Sequence, residues 1–323
     1  MKKVCSIILA LTLALSLCVC LSGCGKSSAK YKVGICQLVQ HDALDAATKG
    51  FQDALKELLG DDVEFDLQNA AGEPATCSTI VNSFVSSNVD LIMANATPAL
   101  QAAASATDTI PIVATSITDY ASALSIDNWT GTTGMNITGT CDLAPLAEQA
   151  AMFTELLPDV KTIGILYNSG ESNSKYQAVE VAKALQSLGF TTKEYTSADS
   201  NDIASIVTAA CAEVEAIYVP TDNSMASNTE IINNIAEPAG IPIIAGEENI
   251  CKGCGIATLS IDYYSIGYEA GKQAYEILVN GAKPGETEIG YASDLTKEYV
   301  ASRCEKLNIT VPAGYTAINE AAE

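Results

Sequence analysis

The chain has 323 residues, 48% of them hydrophobic and 17% charged, with 39 acidic side chains against 17 basic ones and a formal net charge of −22. So large an acidic surplus repels the polyanionic backbone of a nucleic acid, and so high an apolar fraction excludes a disordered chain. Length and composition together suit two domains of ordinary size, each able to bury a core.

Met1-Lys-Lys precedes a mostly apolar run from Val4 to Leu21 and then Leu21-Ser-Gly-Cys24. A charged start, an apolar stretch slightly short for a membrane span, and small residues before a cysteine make an export signal over residues 1–23. Leu21-Ser-Gly-Cys24 resembles the lipobox of bacterial lipoproteins. That resemblance implies a lipid on Cys24, an extracytoplasmic location anchored to the cell membrane, and a polar tether over residues 24–30.

The expected elements then follow in order. Tyr31 to Cys36 is a strand, and a helix follows whose apolar positions Leu44, Ala47, Phe51, Leu55 and Leu58 keep helical spacing until Gly60 ends it. Val63 to Leu67 is a second strand, and a helix through Ile80, Val81, Phe84 and Val85 leads to a third, Leu91 to Ala94. Thr97 is placed as N-cap and Pro98 as the first residue of the next helix. Ile112 to Ala114 is a fourth strand ending in Thr115-Ser-Ile-Thr-Asp119, and Met135-Asn-Ile-Thr-Gly139 reads as an extended crossover between lobes.

A helix from about Leu143 to Leu157 opens the second half, followed by the strand Thr162 to Tyr167 and a helix bearing Val179, Val181, Ala184 and Leu188. Strands at Glu194 and Ala216 to Val219 alternate with helices Ile203 to Cys211 and Met225 to Ala239, and Pro242 to Ala245 is a further strand. Ala257-Thr-Leu-Ser260 reads as a strand returning toward the first lobe, with a helix Tyr264 to Val279 behind it and a last helix from Lys297 to Leu307.

Several pieces of the first half recur in the second. Lys32-Val-Gly-Ile-Cys36 is echoed by Thr162-Ile-Gly-Ile-Leu166, Asp90 to Leu100 by Glu215 to Met225, and Ile110-Pro-Ile-Val-Ala114 by Ile241-Pro-Ile-Ile-Ala245. Alternating strands and helices of this kind imply an α/β fold of two Rossmann-like lobes with parallel sheets, whose polar strand tips face a shared crevice. The expected bounds are 31–136 plus about 261–291 for the first lobe and 137–260 plus about 292–323 for the second, joined by a three-segment hinge.

Of eleven cysteines, Cys5, Cys18 and Cys20 lie in the signal and Cys24 would carry lipid, which leaves seven. Cys36 and Cys211 read as core residues, and Cys251-Lys-Gly-Cys254 as two free thiols or a small disulfide in a loop. A zinc site would need a second pair or histidines, and His41 is the only histidine, so neither metal nor cofactor is expected.

The lipobox, the duplicated lobes and the ordered tips Asn95-Ala-Thr-Pro98, Asn168-Ser-Gly-Glu-Ser-Asn-Ser174, Pro220-Thr-Asp-Asn223 and Gly246-Glu-Glu248 together resemble the substrate-binding lipoproteins of ABC importers. The likeness is to the subgroup associated with tryptophan and other aromatic amino acids. It implies a type I periplasmic-binding-protein-like fold, an aromatic amino acid as small-molecule ligand, an ABC permease as partner, and no catalysis. No Gly-x-Ser-x-Gly, Walker or His-Glu-x-x-His pattern offers an enzymatic alternative. The remaining alternatives are another solute on the same scaffold, such as a branched amino acid, a peptide or a sugar, or a chemosensory role.

A zwitterion needs an anion site, a cation site and a pocket. Helix N-termini with the hydroxyls of Thr97, Ser169, Ser172 and Ser174 are candidates for the carboxylate, together with Thr115 and Ser116 at the fourth strand tip. Asp222 is the first candidate for the ammonium, with Glu247 and Asp119 behind it. Asn95, Asn168, Asn173 and Asn223 can supply directional hydrogen bonds, and Gln37, Gln40 and His41 leave the first strand tip toward the crevice. Tyr120, Tyr167, Tyr263 and Tyr264 are candidate ring partners, whereas Trp129 is placed near the hinge and outside the site.

Overall fold

A computed structural model describes residues 29–292 and 295–319; the signal, the lipobox and Cys24 lie outside the described residues. From Tyr31 onward the chain forms one compact unit. Its first run comprises β1 (Tyr31–Gln37), α1 (Asp42–Leu59), β2 (Val63–Asn69), α2 (Pro74–Ser86), β3 (Leu91–Asn95), α3 (Thr97–Ala106), β4 (Ile112–Ile117), α4 (Tyr120–Ala123) and β5 (Ile137–Cys141). The second comprises α5 (Leu146–Leu156), β6 (Thr162–Asn168), α6 (Ser172–Ser187), β7 (Thr191–Ser197), α7 (Ile203–Glu213), β8 (Ala216–Val219), α8 (Asn223–Ala226), α9 (Thr229–Ala236), β9 (Ile243–Ala245), α10 (Glu248–Cys254) and β10 (Ala257–Ile261). The chain ends with α11 (Tyr263–Asn280), β11 (Gly290–Tyr291), β12 (Leu295–Tyr299), α12 (Ala301–Lys306) and β13 (Thr316–Ala317).

Two sheets result, with strand orders β11-β5-β4-β3-β1-β2 and β13-β12-β10-β9-β8-β6-β7. All pairings are parallel except that of β12 with β10. Strands β3, β4 and β8 are buried along their whole length, as expected when helices cover both faces of a sheet, whereas the edge strands β2 and β7 are half exposed. Each sheet has its own apolar cores, with Phe51 and Phe84 in the first and Phe153 and Tyr218 in the second.

Helix α11 is pressed backbone to backbone against α1. A Cβ on Gly267 would stand 2.0 Å from the Ala47 carbonyl oxygen, and one on Gly50 would stand 2.1 Å from that of Tyr264, so only glycine permits the approach. This seam brings Tyr263, the first residue of α11, to the carboxyl ends of the strands.

Several expectations change. Met135 to Gly139 is not a free crossover, because Ile137–Cys141 is a strand of the first sheet, paired with β4. Gly139 has φ of +148°, and a Cβ there would meet the Ala114 carbonyl oxygen at 1.8 Å; the same glycine that permits this pairing made the segment read as a break. Ala257 to Ile261 sits inside the second sheet, between β9 and β12. The expected helix from Lys297 is half strand, since Leu295–Tyr299 adds antiparallel to β10 before α12 begins. Helix α3 starts at Thr97 itself, with Ala96 at φ 87° in the N-cap place and no side-chain cap. Met225 to Ala239 divides into α8 and α9.

Cys251 and Cys254 lie in α10 rather than in a loop, and no disulfide joins the seven cysteines among the described residues. The carboxyl end of that short helix is held by Arg303, the sole arginine of the sequence, which donates to the carbonyls of Cys251, Gly253 and Gly255 at 3.1, 2.8 and 3.1 Å. A guanidinium fork reaches three carbonyls at once where the helix runs out of internal donors. Arg303 is therefore spent on the fold.

Candidate functional site

The carboxyl ends of strands from both sheets converge on one narrow, largely enclosed chamber, in which about 10 Å³ is open to the centre of a water-sized sphere. His41, Leu44, Ser116, Thr118, Asp142 and Tyr263 line it beside the first sheet, and Asn173, Thr221, Asp222, Asn223, Ala226 and Glu247 beside the second. Open α/β sheets bind ligands at this end because the helix starts and strand tips leave polar groups there without internal partners.

Strand β4 slips register between Ala114 and Ile117, and Ser116 takes a left-handed φ of 57°. The distortion costs on the order of 1 kcal/mol for a non-glycine residue. It leaves the Ser116 hydroxyl at the chamber, buried and without a partner. Two other buried polar atoms lacking partners, His41 Nδ1 and Asn173 Oδ1, belong to residues of the same wall.

Three carboxylates stand around the space, and no Lys or Arg lines it. Asp142 accepts from the hydroxyls of Thr118 at 3.2 Å and Tyr263 at 2.9 Å, and burial pushes its pKa up to about 6. Asp222 caps α8 through Met225 N at 2.8 Å and also accepts from Asn168 N at 2.7 Å and from the Ser174 hydroxyl. Burial, and then the charge of Glu171, raise its pKa to about 7. Glu247 caps α10 through Asn249 N and Ile250 N at 2.7 and 2.6 Å, and burial raises its pKa to about 7 as well. Three desolvated acids without a cation create a strong demand for one.

The expected site residues fall into three groups. His41, Ser116, Asn173, Asp222, Asn223 and Glu247 line the chamber. Asn168 and Ser174 stand behind it, bonded to Asp222. The others serve the fold. Gln37 bonds to Val39 O and Asp45 and accepts from Thr48; Asn95 donates to Leu44 O and Thr48; Thr115 accepts from Thr140. Thr97 is buried in the first turn of α3, Ser169 donates to Ser197 O, and Ser172 is an exposed residue at the start of α6.

Of the tyrosines, Tyr263 alone lines the chamber. Tyr167 bonds to Glu194, Tyr264 to Asp53, and Tyr120 is buried with its ring stacked on Trp129. Asp119 caps α4. Sequence reasoning missed Asp142, Thr118, Thr221, Glu171 and Gln177. Glu171 accepts four hydrogen bonds from Asn223 and Ser224, and Gln177 clasps Thr221 from both ends of its amide. Asp142 was within reach, because it directly follows β5 just as Asp222 and Glu247 follow their strands; the unrecognised strand hid it.

A family model described as ABC transporter substrate binding protein matches residues 32–318. A tyrosine-binding protein of Clostridioides difficile (strain R20291) is 35% identical over 294 residues, covering 86% of this chain and 84% of that one. Among solved structures, an ABC domain from Streptococcus pneumonia in complex with L-Trp has a TM-score of 0.85 at 33% identity, covering 90% of this chain and 100% of that one. The ligand-free, open structure of a substrate binding protein with adhesive properties from Clostridium difficile has a TM-score of 0.69 at 32% identity, with coverage of 90% and 100%. At nearly equal identity the chain is more similar to the complex than to the open structure, in keeping with the direct contact between His41 and Asn223 across the chamber.

Proposed function

The chain belongs to the ABC transporter substrate-binding family, and from that premise we propose that it is the lipid-anchored, extracytoplasmic binding protein of an importer for an aromatic amino acid. It holds the amino acid in the chamber between its sheets and presents the closed form to the permease. The observation that carries this reading is the chamber's polar imbalance: three buried atoms without partners and three desolvated carboxylates with no Lys or Arg among them. A zwitterion answers both, its ammonium facing the acids and its carboxylate facing the Ser116 hydroxyl.

Among the acids, Asp142 is the principal partner of the ammonium. Asp222 and Glu247 are each held by two backbone N–H groups of other residues, whereas the side-chain partners of Asp142 are two hydroxyls, which can turn to accommodate a further donor. Tyr263, Leu44 and Ala226 supply apolar surface beside it. The aromatic preference is supported by two relatives, one a tyrosine-binding protein and the other in complex with L-Trp.

A thermal-shift panel on residues 31–323 tests the reading. Saturating L-tryptophan or L-tyrosine is expected to raise the melting temperature by roughly 5 °C, with sugars inert. No shift with any amino acid would remove the ligand assignment. For the anchor, Cys24→Ser is expected to move the protein from the membrane to the soluble fraction; retention on the membrane would count against lipidation.

A further inference from the structure

His41, the only histidine in the sequence, stands where the two sheets approach each other across the chamber. Its Nε2 is 3.4 Å from Oδ1 of Asn223, a contact that joins the tip beyond β1 to the tip beyond β8. The amide of Asn223 is not free to turn, because its Nδ2 donates to Glu171 Oε2 at 2.6 Å. Oδ1 therefore faces the imidazole. A carbonyl oxygen only accepts, so Nε2 must carry the hydrogen. Burial pushes the imidazole pKa down, against the Asn223 bond and the charges of Glu171, Asp45 and Asp42. In the neutral ring with hydrogen on Nε2, Nδ1 is a bare acceptor, and it is buried without a partner.

We infer that His41 is a specificity-determining residue: its Nε2–H latches the two lobes through Asn223, while its Nδ1 accepts a hydrogen bond from the ligand, which must present an N–H or O–H donor there. The inference rests on the chamber being the amino-acid site. Asn173 makes the same demand independently. Its amide nitrogen is already engaged with Glu171, Ser174 and the Thr221 carbonyl, and its buried Oδ1 has no partner. The wall thus asks for donors from two sides. An ammonium, an indole N–H or a phenol O–H satisfies such a wall; an aryl carboxylate without an amine leaves both acceptors bare, which is the stronger form of discrimination. Because one ring nitrogen reads the ligand and the other holds the opposite lobe, recognition and closure share a single side chain.

The absence of a second histidine makes the test direct. Residues 31–323 are prepared without an affinity tag and with ¹⁵N-labelled histidine, so that all imidazole signal comes from His41. With saturating L-tyrosine or L-tryptophan at neutral pH, the expected spectrum is that of a neutral ring protonated on Nε2, with the Nδ1 resonance moved on ligand addition. His41→Phe is expected to weaken binding of the same amino acid about tenfold or more. An imidazolium, hydrogen on Nδ1, an unmoved Nδ1 resonance while ligand binds, or an unchanged affinity in a folded His41→Phe variant would each overturn the inference and leave the amino-acid reading intact. If neither amino acid binds, the proposed function fails and the inference falls with it.

Discussion

Asp142→Asn is expected to weaken binding of L-tryptophan or L-tyrosine by about 2–5 kcal/mol, the cost of leaving one member of a desolvated charge pair without its partner. The carboxylate is buried, is held by the Thr118 and Tyr263 hydroxyls, and has its pKa pushed up to about 6 from an ordinary value of 3.8. That displacement means the ionised form is disfavoured in the free protein, by about 1.4 kcal/mol for every tenfold gain in proton affinity. Removing the charge therefore relieves the free protein while depriving the ligand. The two effects have opposite signs: calorimetric titration should show the loss of affinity, and a melt of the ligand-free variant near pH 8 should be no lower than that of the parent. Asp222 supplies the contrast, because its oxygens accept from Asn168 N, Met225 N and the Ser174 hydroxyl. Asp222→Asn puts an NH2 group where an oxygen now accepts, and losing that bond should lower stability by about 1 kcal/mol. An unchanged affinity in the Asp142 variant would shift the ammonium to Glu247.

The contrast between these two acids shows how far sequence carries. A strand buried on both faces announces itself as an unbroken apolar run, which is why Leu91 to Ala94 and Ala216 to Val219 were legible, and with them the tips that follow. The matching runs in the two halves then pointed to a duplicated α/β architecture. Ile137-Thr-Gly-Thr-Cys141 carries no such run; its place in the sheet depends on how closely Gly139 lets it approach Ala114, a tertiary fact with no local periodicity. The acid behind it was lost for the same reason. The polar candidates failed differently. Asn95 and Gln37 lie at strand tips as read, but their side chains turn back onto α1, bonding to Leu44 O, Thr48 and Asp45. A tip residue can face the crevice or fasten its own helix, and the spacing of residues does not distinguish the two. Even so, six of the tip residues named from sequence, His41, Ser116, Asn173, Asp222, Asn223 and Glu247, line one space.

Ligand affinity is expected to rise with pH, by up to about tenfold per pH unit below the pKa of a carboxylate that must ionise and levelling off above it, so that about tenfold separates pH 5 from pH 7 if one proton leaves a group with a pKa of about 6. The pKa values of Asp142, Asp222 and Glu247 are raised to about 6, 7 and 7. In the window between an ordinary carboxylate pKa of about 4 and these raised values, the folded free protein holds protons that the unfolded chain has released. Their contribution to stability is thus fully present below that window and is lost as pH rises through about 6 to 7. An ammonium reverses the balance, since it favours the ionised acids and expels a proton from among them. The apparent value belongs to the cluster rather than to one residue. Titrations in buffers of different ionisation heat should report about one proton released near pH 6, and an affinity that stays flat across this range would mean that the ammonium does not meet these acids. The same electrostatics bears on closure. Above the raised pKa values an empty, closed chamber confines several negative charges with no cation among them, so the free protein gains by opening; a bound ammonium removes that penalty and lets the His41 contact with Asn223 hold. At low pH the acids are neutral and closure without ligand loses its cost, so the ligand-free protein should become more compact in small-angle scattering as pH falls.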